Sequence, residues 1–115
     1  MHNCTILSGK EVSDHVYRNL QDRVELLFRN NIRPGLAAVL VGENPASKIY
    51  IKMKTKKFHK LGLKTETIKL SIDCSQKELI QVIEKINNDS TFHGILVQLP
   101  LPKHIDSKSV INSIV

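Results

Sequence analysis

LAAVLVGENPASKIYIKMKTKKFHKLGLKTETIKL, the stretch from Leu36 to Leu70, determines the fold that we predict for this chain. It opens with a continuous apolar run, which is typical of a strand covered on both faces. Asn44 and Pro45 predict a helix start, because asparagine caps backbone N–H groups and proline suits the first helical position. The helix should end near Leu61–Gly62, where glycine accepts a left-handed backbone. Residues 63–70 then alternate in polarity, as a second strand does.

Upstream of this stretch, an amphipathic helix is predicted to run from Ser8 to about residue 30. Ser8 and Glu11 have the spacing of a capping box. RPG at Arg33–Gly35 ends the helical pattern before the first strand. The apolar residues that recur at helical spacing are Val12, Val16, Leu20, Val24, Leu27 and Phe28.

Downstream, the pattern of a helix, a strand and a helix continues. Asp73 or Ser75 can cap the next helix. GILVQL, residues 94–99, reads as another buried strand, and the two prolines that follow it cannot continue a strand. A last helix should start at Asp106 or Ser107. Its apolar residues are Val110, Ile111, Ile114 and Val115.

Strands that alternate with helices predict an α/β fold, a three-layer sandwich with a mostly parallel sheet. The 115 residues, 41% of them apolar, are enough for one domain with a single core. The chain contains no GxGxxG fingerprint, no phosphate-binding P-loop and no nucleophile elbow.

The chain is basic, with 17 Lys plus Arg against 11 Asp plus Glu and a formal charge of +6. This charge favours anionic partners, which could be nucleic acid, phosphorylated metabolites or polycarboxylates, but it is also typical of a solvated lysine-rich surface. Cys4 and Cys74 have no metal-ligand spacing and suit a reducing compartment. With no apparent signal peptide or apolar span, the chain is expected to be cytoplasmic, with no membrane partner.

A small-molecule site is predicted at the carboxyl edge of the sheet. In open parallel sheets, ligands bind outside the carboxyl ends of the strands. The loop after Val41 and the turn after Val97 should both lie at that edge. No metal site is expected, because His59, His93 and His104 have no ligand spacing with one another or with the cysteines.

Lys54 and Tyr50 are the first candidates for catalytic or ligand-binding residues. A separation of four residues places them on one helix face. An apolar neighbourhood would favour the neutral amine of Lys54, which could then exchange protons near neutral pH. Alternatively, Lys54 lies at the edge of the apolar stripe predicted for this helix and extends its ammonium group to water. Tyr50 could stack on a flat ligand or belong to the core. The predicted apolar stripe is Ala46, Ile49, Tyr50, Met53, Lys54, Lys57 and Leu61.

Gln98 is the third candidate, since it is a lone amide at the end of an apolar strand. It could hold a ligand or orient Lys54. It could equally satisfy backbone groups at the strand end, because buried amides need hydrogen-bond partners in either case.

At these residues the chain closely resembles the bifunctional methylenetetrahydrofolate dehydrogenase/cyclohydrolase family. The motifs that carry the resemblance are VGENPASKIYIKMKTKK and GILVQLPLPKHI, supported by SGKEVSD and RPGLAAVLVG. The resemblance covers the whole chain. It implies an N-terminal domain of the amino-acid-dehydrogenase-like type, with residues 1–115 as the folate-binding catalytic domain, truncated at its C-terminal end.

The resemblance also implies a role for each candidate residue. Lys54 corresponds to the catalytic lysine of the cyclohydrolase reaction, Tyr50 to the tyrosine that stacks on the folate, and Gln98 to the glutamine that hydrogen-bonds the lysine. Ser47 belongs to the same motif and should support the site. Leu99, Pro100 and Leu101 should line the folate pocket.

The implied activity is oxidation of 5,10-methylenetetrahydrofolate with NADP, followed by hydrolysis to 10-formyltetrahydrofolate. The Rossmann domain that binds NADP should lie beyond this chain, so no cofactor-binding residue is predicted here. A homodimer is expected for the full-length enzyme. Two alternatives remain: a folate- or polyanion-binding fragment without turnover, and a basic nucleic-acid-binding domain.

Overall fold

Four helices and three strands make up the computed structural model, which describes residues 3–115. The described chain divides into two compact units, the first ending at Ile32 and the second spanning Arg33–Val115. No helix within the described range is both long and apolar enough to cross a lipid bilayer. In chain order the elements are α1 (Gly9–Arg29), β1 (Gly35–Val41), α2 (Pro45–Lys60), β2 (Lys64–Leu70), α3 (Gln76–Asn87), β3 (Gly94–Val97) and α4 (Ser107–Asn112).

Helix α1 belongs to the first unit, and it begins where the sequence predicts. Ser8 has the extended backbone of an N-cap residue, with φ −83° and ψ 120°. However, its side chain makes no cap hydrogen bond, so the predicted capping box with Glu11 is wrong. Gly9 and Lys10 are exposed. Water can therefore satisfy the first N–H groups of the helix in place of the serine hydroxyl.

The sheet of the second unit is parallel, with the order β2-β1-β3. Gly35 pairs with Lys64 at one end of the β1–β2 ladder, and Val41 pairs with Leu70 at the other. The central strand β1 is almost entirely buried, as its continuous apolar sequence predicts. The order confirms the predicted parallel α/β fold.

Each face of the sheet packs against its own helices. Ala37, Val39 and Val41 of β1 belong to the larger core cluster, which includes residues of α3 and α4. Ala38 and Leu40, which point to the other face, form a small cluster with Ile51 of α2. The second unit therefore has three layers, as predicted.

Helix α3 has the capping box that α1 lacks. The Ser75 hydroxyl accepts a hydrogen bond from the Glu78 backbone N–H at 3.1 Å, and the Ser75 N–H donates to the Glu78 carboxylate at 3.3 Å. We expect Ser75→Ala to lower the free energy of unfolding by about 1 kcal/mol. Urea denaturation followed by circular dichroism measures this loss. Ser8→Ala is the matched control and should have little effect, and an equal loss in both variants would contradict the assignment.

Helix α4 is shorter than the sequence predicts, since it ends at Asn112 and does not continue to Val115. The Asn87 side chain donates a hydrogen bond to the Ser113 carbonyl at 2.8 Å. The Ser113 hydroxyl donates to the Val110 carbonyl at 2.5 Å. The Ser113 hydroxyl thus bonds to the Val110 carbonyl, which the Ile114 N–H would have used if the helix had continued.

Candidate functional site

The connections before and after β2 lead to opposite sides of the central strand β1, and a ligand is expected at such a point of the sheet. From β1 the chain passes through α2 to β2 on one side, and then through α3 to β3 on the other side. A crevice forms where neighbouring strands lead to opposite sides, outside their carboxyl ends. Here that point lies beyond Val41 and Val97.

The start of α2 is fixed at this edge, as the sequence predicts. The Asn44 side chain accepts a hydrogen bond from the Ser47 N–H at 3.1 Å, and Pro45 occupies the first helical turn. This cap orients the first turn so that Ser47 points inward, where it is only 2% exposed. The Ser47 hydroxyl lies 3.5 Å from the Leu99 carbonyl oxygen, to which it donates.

Lys54 of α2 and Gln98, which follows β3, are in direct contact. The Lys54 ammonium donates a hydrogen bond to the Gln98 Oε1 at 2.9 Å. The backbone of Gln98 is held by its N–H, which donates to the Val39 carbonyl at 2.9 Å and extends the parallel ladder. Gln98 itself is 8% exposed. The structure therefore brings together two of the residues that the sequence singled out.

The Leu99 carbonyl fixes the orientation of the Gln98 amide. It accepts a hydrogen bond from the Gln98 Nε2 at 3.0 Å, in addition to the longer one from Ser47. Because the amide nitrogen is engaged on that side, the amide oxygen faces Lys54. Sequence reasoning missed this role of Leu99, because a backbone carbonyl leaves no signal in the residue type.

The predicted apolar stripe of α2 is wrong. Ile49, Tyr50 and Met53 are 58%, 54% and 59% exposed, and Lys54 is exposed beside them. In this chain, Lys54 therefore does not lie in a dry apolar environment. Tyr50 presents its ring on the same flank of the helix, one turn before Lys54, where it is accessible to a ligand.

The buried face of α2 is a narrow one, centred on Ile51. Ile51 packs with Ala38 and Leu40 of β1, and Ser47 is the other buried residue of the helix. Ala38 is small, so it lets the helix approach the strand through the Ile51 side chain. Its sequence mixes apolar and basic residues around the helix, so periodicity alone did not identify this face.

The three residues after Gln98 occupy different environments. Leu99 is 44% exposed beside the crevice, and Pro100 is exposed. Leu101 is half-buried and packs against the larger core cluster. The Leu99–Pro100 peptide bond is cis. A role for these residues in lining a folate pocket stays a prediction.

The charges near Lys54 leave its amine facing a neutral partner. In residues 3–115 the ion pairs are Lys10 with Asp14 and Lys48 with Glu43. Lys54 instead contacts an amide oxygen, which can accept a hydrogen bond from either the ammonium or the neutral amine. The Gln98 amide therefore holds the Lys54 side chain in place without an ion pair.

Cys74 is not a second reactive centre. Burial raises the pKa of its thiol, and the nearby Glu78 carboxylate adds to the increase. A thiol that resists ionisation is a poor nucleophile. Within residues 3–115, no group of three or more His, Cys, Asp or Glu side chains is placed to hold a metal ion.

Comparison with known proteins gives a family match and close relatives. The family described as tetrahydrofolate dehydrogenase/cyclohydrolase, catalytic domain, matches residues 7–115. The bifunctional protein FolD of Enterococcus faecalis is 44% identical over 110 residues, which is 96% of this chain and 39% of that protein. FolD of Acetivibrio thermocellus is 46% identical over 109 residues, 95% of this chain and 38% of that protein.

Solved structures show the same fold. The bifunctional FolD enzyme of Campylobacter jejuni superposes with a TM-score of 0.93 at 40% identity, covering 96% of this chain and 39% of its own. The Trypanosoma brucei FolD, solved in complex with NADP and an inhibitor, gives a TM-score of 0.90 at 29% identity, covering all of this chain and 39% of its own. This chain thus spans about two fifths of the length of these proteins.

Proposed function

Since this chain belongs to the tetrahydrofolate dehydrogenase/cyclohydrolase family, we propose that its Lys54 site hydrolyses 5,10-methenyltetrahydrofolate to 10-formyltetrahydrofolate. We also propose that residues 1–115 act as one folate-binding catalytic domain. The single observation that supports the proposal most is the 2.9 Å hydrogen bond between Lys54 and Gln98. It places a basic group, held by a buried amide, at the edge of the sheet where α/β proteins bind ligands.

In the proposed reaction, Lys54 takes the proton of the attacking water. The methenyl carbon belongs to a cationic amidinium, and a water oxygen bonds to it as its proton passes to the Lys54 amine. The hydroxyl on this carbon then loses its proton to water as the bond from the carbon to N5 breaks, N5 takes the proton that Lys54 accepted, and the carbon stays on N10 as a formyl group. General base catalysis of this kind needs the base within hydrogen-bond reach of the water.

The other site residues are proposed to position the substrate and the base. Gln98 keeps the Lys54 amine directed into the crevice, and the Leu99 carbonyl keeps the Gln98 amide from turning over. Ser47 supports the same carbonyl. The exposed ring of Tyr50 would stack on the flat part of the folate. Leu99, Pro100 and Leu101 are proposed as further contacts.

The complete protein is proposed to oxidise 5,10-methylenetetrahydrofolate as well, with NADP accepting the hydride. The residues described here do not fit a dinucleotide. The turn after β1 contains one glycine, Gly42, which is followed by Glu43 and Asn44, whereas a dinucleotide turn needs several glycines close to the pyrophosphate. NADP binding is therefore assigned to the part of the protein outside this chain. The homodimer and the cytoplasmic location stay predictions.

The absorbance decay of 5,10-methenyltetrahydrofolate tests the proposed hydrolysis. We expect this chain to accelerate the decay over buffer, and Gln98→Leu to slow the accelerated rate by about a hundredfold because Lys54 loses its partner. Gln81→Leu is the matched control, since Gln81 is an exposed glutamine on α3. It should leave the rate unchanged. If this chain binds tetrahydrofolate without accelerating the decay, it is a binding fragment and the catalytic proposal fails.

A further inference from the structure

We propose that a groove between α2 and β2 binds linked phosphate groups, such as those of an inorganic triphosphate or a nucleoside triphosphate. The groove is separate from the site around Lys54. Lys54 contacts Gln98, which follows β3, whereas the groove lies toward β2, on the other side of the central strand β1. The proposal therefore goes beyond the proposed function and does not depend on it.

The floor of the groove is held in place by the core. Leu40 of β1 and Ile51 of α2 form this floor, and they are only 2% and 4% exposed. The volume of the groove is about 380 Å³. This volume is within the range of small-molecule sites. A ligand in the groove would thus rest on side chains that packing already fixes.

Lysines line the groove on both of its walls. Lys48 and Lys52 lie one turn apart on α2, and Lys69 belongs to β2. Lys69 pairs with Leu40, so its side chain is on the face of the sheet that α2 covers. Glu66, the one carboxylate of β2, belongs to the alternate set of side chains, which points to the other face. No carboxylate of β2 therefore offsets the positive charge of the groove.

Three donors of the groove have no partner among the described residues, and this observation supports the proposal most. In residues 3–115, Lys52 and Lys69 form no ion pair or hydrogen bond, and the Thr67 hydroxyl forms no hydrogen bond. Lys48 is paired with Glu43. An ammonium has three N–H donors, so Lys48 can contact a ligand and keep this partner. An anion can thus bind without breaking a contact that the fold uses.

The placement of these donors on two walls favours phosphate over carboxylate. A phosphate group carries a charge of about −1.5 to −2 at pH 7 and three acceptor oxygens that do not lie in one plane. Lys52 and Lys69 can therefore share one phosphate. A carboxylate has only two acceptor oxygens, and they lie in a single plane. Lys48 follows Lys52 along the groove at a distance of about one helical turn, so a second linked phosphate can contact it.

Titration calorimetry with inorganic triphosphate at low salt tests the site. We expect the unmodified chain to bind triphosphate more tightly than inorganic phosphate, because linked phosphates contact more lysines. Each exposed ion pair strengthens binding by about threefold, so Lys52→Gln/Lys69→Gln should weaken triphosphate binding roughly tenfold. Lys56→Gln/Lys60→Gln is the matched control, since it removes the same charge from exposed lysines of α2 that do not line the groove. Its affinity should stay within about twofold of the unmodified chain.

Three results would overturn the proposal. The first is no binding of triphosphate by the unmodified chain. The second is an equal loss of affinity in both double variants, which would indicate attraction by net charge alone. The third is citrate binding as tightly as triphosphate with the same dependence on Lys52 and Lys69, which would make the groove a general anion site.

Uridine triphosphate distinguishes the two sources of linked phosphates. An affinity equal to that of inorganic triphosphate would show that the phosphates alone are recognised, and a tighter one would show that the groove also contacts the nucleoside. Either result supports the site if it depends on Lys52 and Lys69. These residues do not belong to the Lys54 site, so Lys52→Gln/Lys69→Gln should leave the hydrolysis of 5,10-methenyltetrahydrofolate unchanged. Failure of the groove and failure of the proposed function are thus measured separately.

Discussion

Lys54→Met is expected to abolish the hydrolysis of 5,10-methenyltetrahydrofolate while tetrahydrofolate binding changes little. Methionine keeps most of the length of the side chain but cannot accept a proton or donate a hydrogen bond to Gln98. Loss of a general base typically lowers a rate by about 10²- to 10⁴-fold. Binding should persist, because the stacking surface of Tyr50 and the capped start of α2 do not depend on the amine.

The measurement is the absorbance decay of the substrate, with affinity for tetrahydrofolate determined in parallel. Lys56→Met is the matched control, because it replaces an exposed lysine of the same helix. Its rate should equal that of the unmodified chain. A Lys54→Met chain that hydrolyses the substrate at the full rate would show that Lys54 is not the base. Loss of binding together with loss of rate would mean that Lys54 mainly holds the folate.

Gly35→Ala is expected to be the most destabilising of the small substitutions in this fold. A Cβ atom at position 35 would lie 2.2 Å from the Thr91 carbonyl oxygen. The backbone cannot move away easily. The Gly35 carbonyl accepts a hydrogen bond from the His93 N–H at 2.8 Å, and the Gly35 N–H donates to the His93 Nδ1 at 3.1 Å. Overpacking of this kind costs about 3 kcal/mol.

Gly94→Ala is the matched control, since Gly94 begins the neighbouring strand and its added Cβ would meet the Leu36 side chain at an ordinary 3.6 Å. The free energy of unfolding of that variant should lie within about 1 kcal/mol of the value for the unmodified chain. Urea denaturation of both variants gives the comparison. A loss of the same size at the two glycines would indicate that strand propensity, and not the contact with Thr91, determines the effect.

The sequence predicted the order of the elements and the residues that meet in the crevice. Some features depend only on local chemistry, so they can be predicted from the residue types. These are the apolar run of β1, the Asn44–Pro45 start of α2 and the candidates Lys54 and Gln98. The parallel topology then requires the ends of β1 and β3 to share an edge. This geometric rule explains why two motifs far apart in sequence could be placed together.

The remaining differences depend on tertiary contacts. The covered face of α2 is set by Ala38 and Leu40 of β1, so it could not be identified from the helix alone. The missing cap hydrogen bond at Ser8 and the end of α4 depend on which hydrogen-bond partners are near. The role of the Leu99 carbonyl depends on the folded backbone, so it could not be assigned from the residue type.

The contact between Lys54 and Gln98 also links the proposed chemistry to the cooperativity of folding. The two residues are 44 positions apart, so no short segment of the chain can form the pair by itself. Helix α2 rests on a cluster of three buried residues, whereas the opposite face of the sheet holds ten. Regions with fewer buried contacts open at a lower free energy than the global transition. Catalytic competence should therefore be the first native property that is lost as the fold loosens, while β1 and α3 remain ordered.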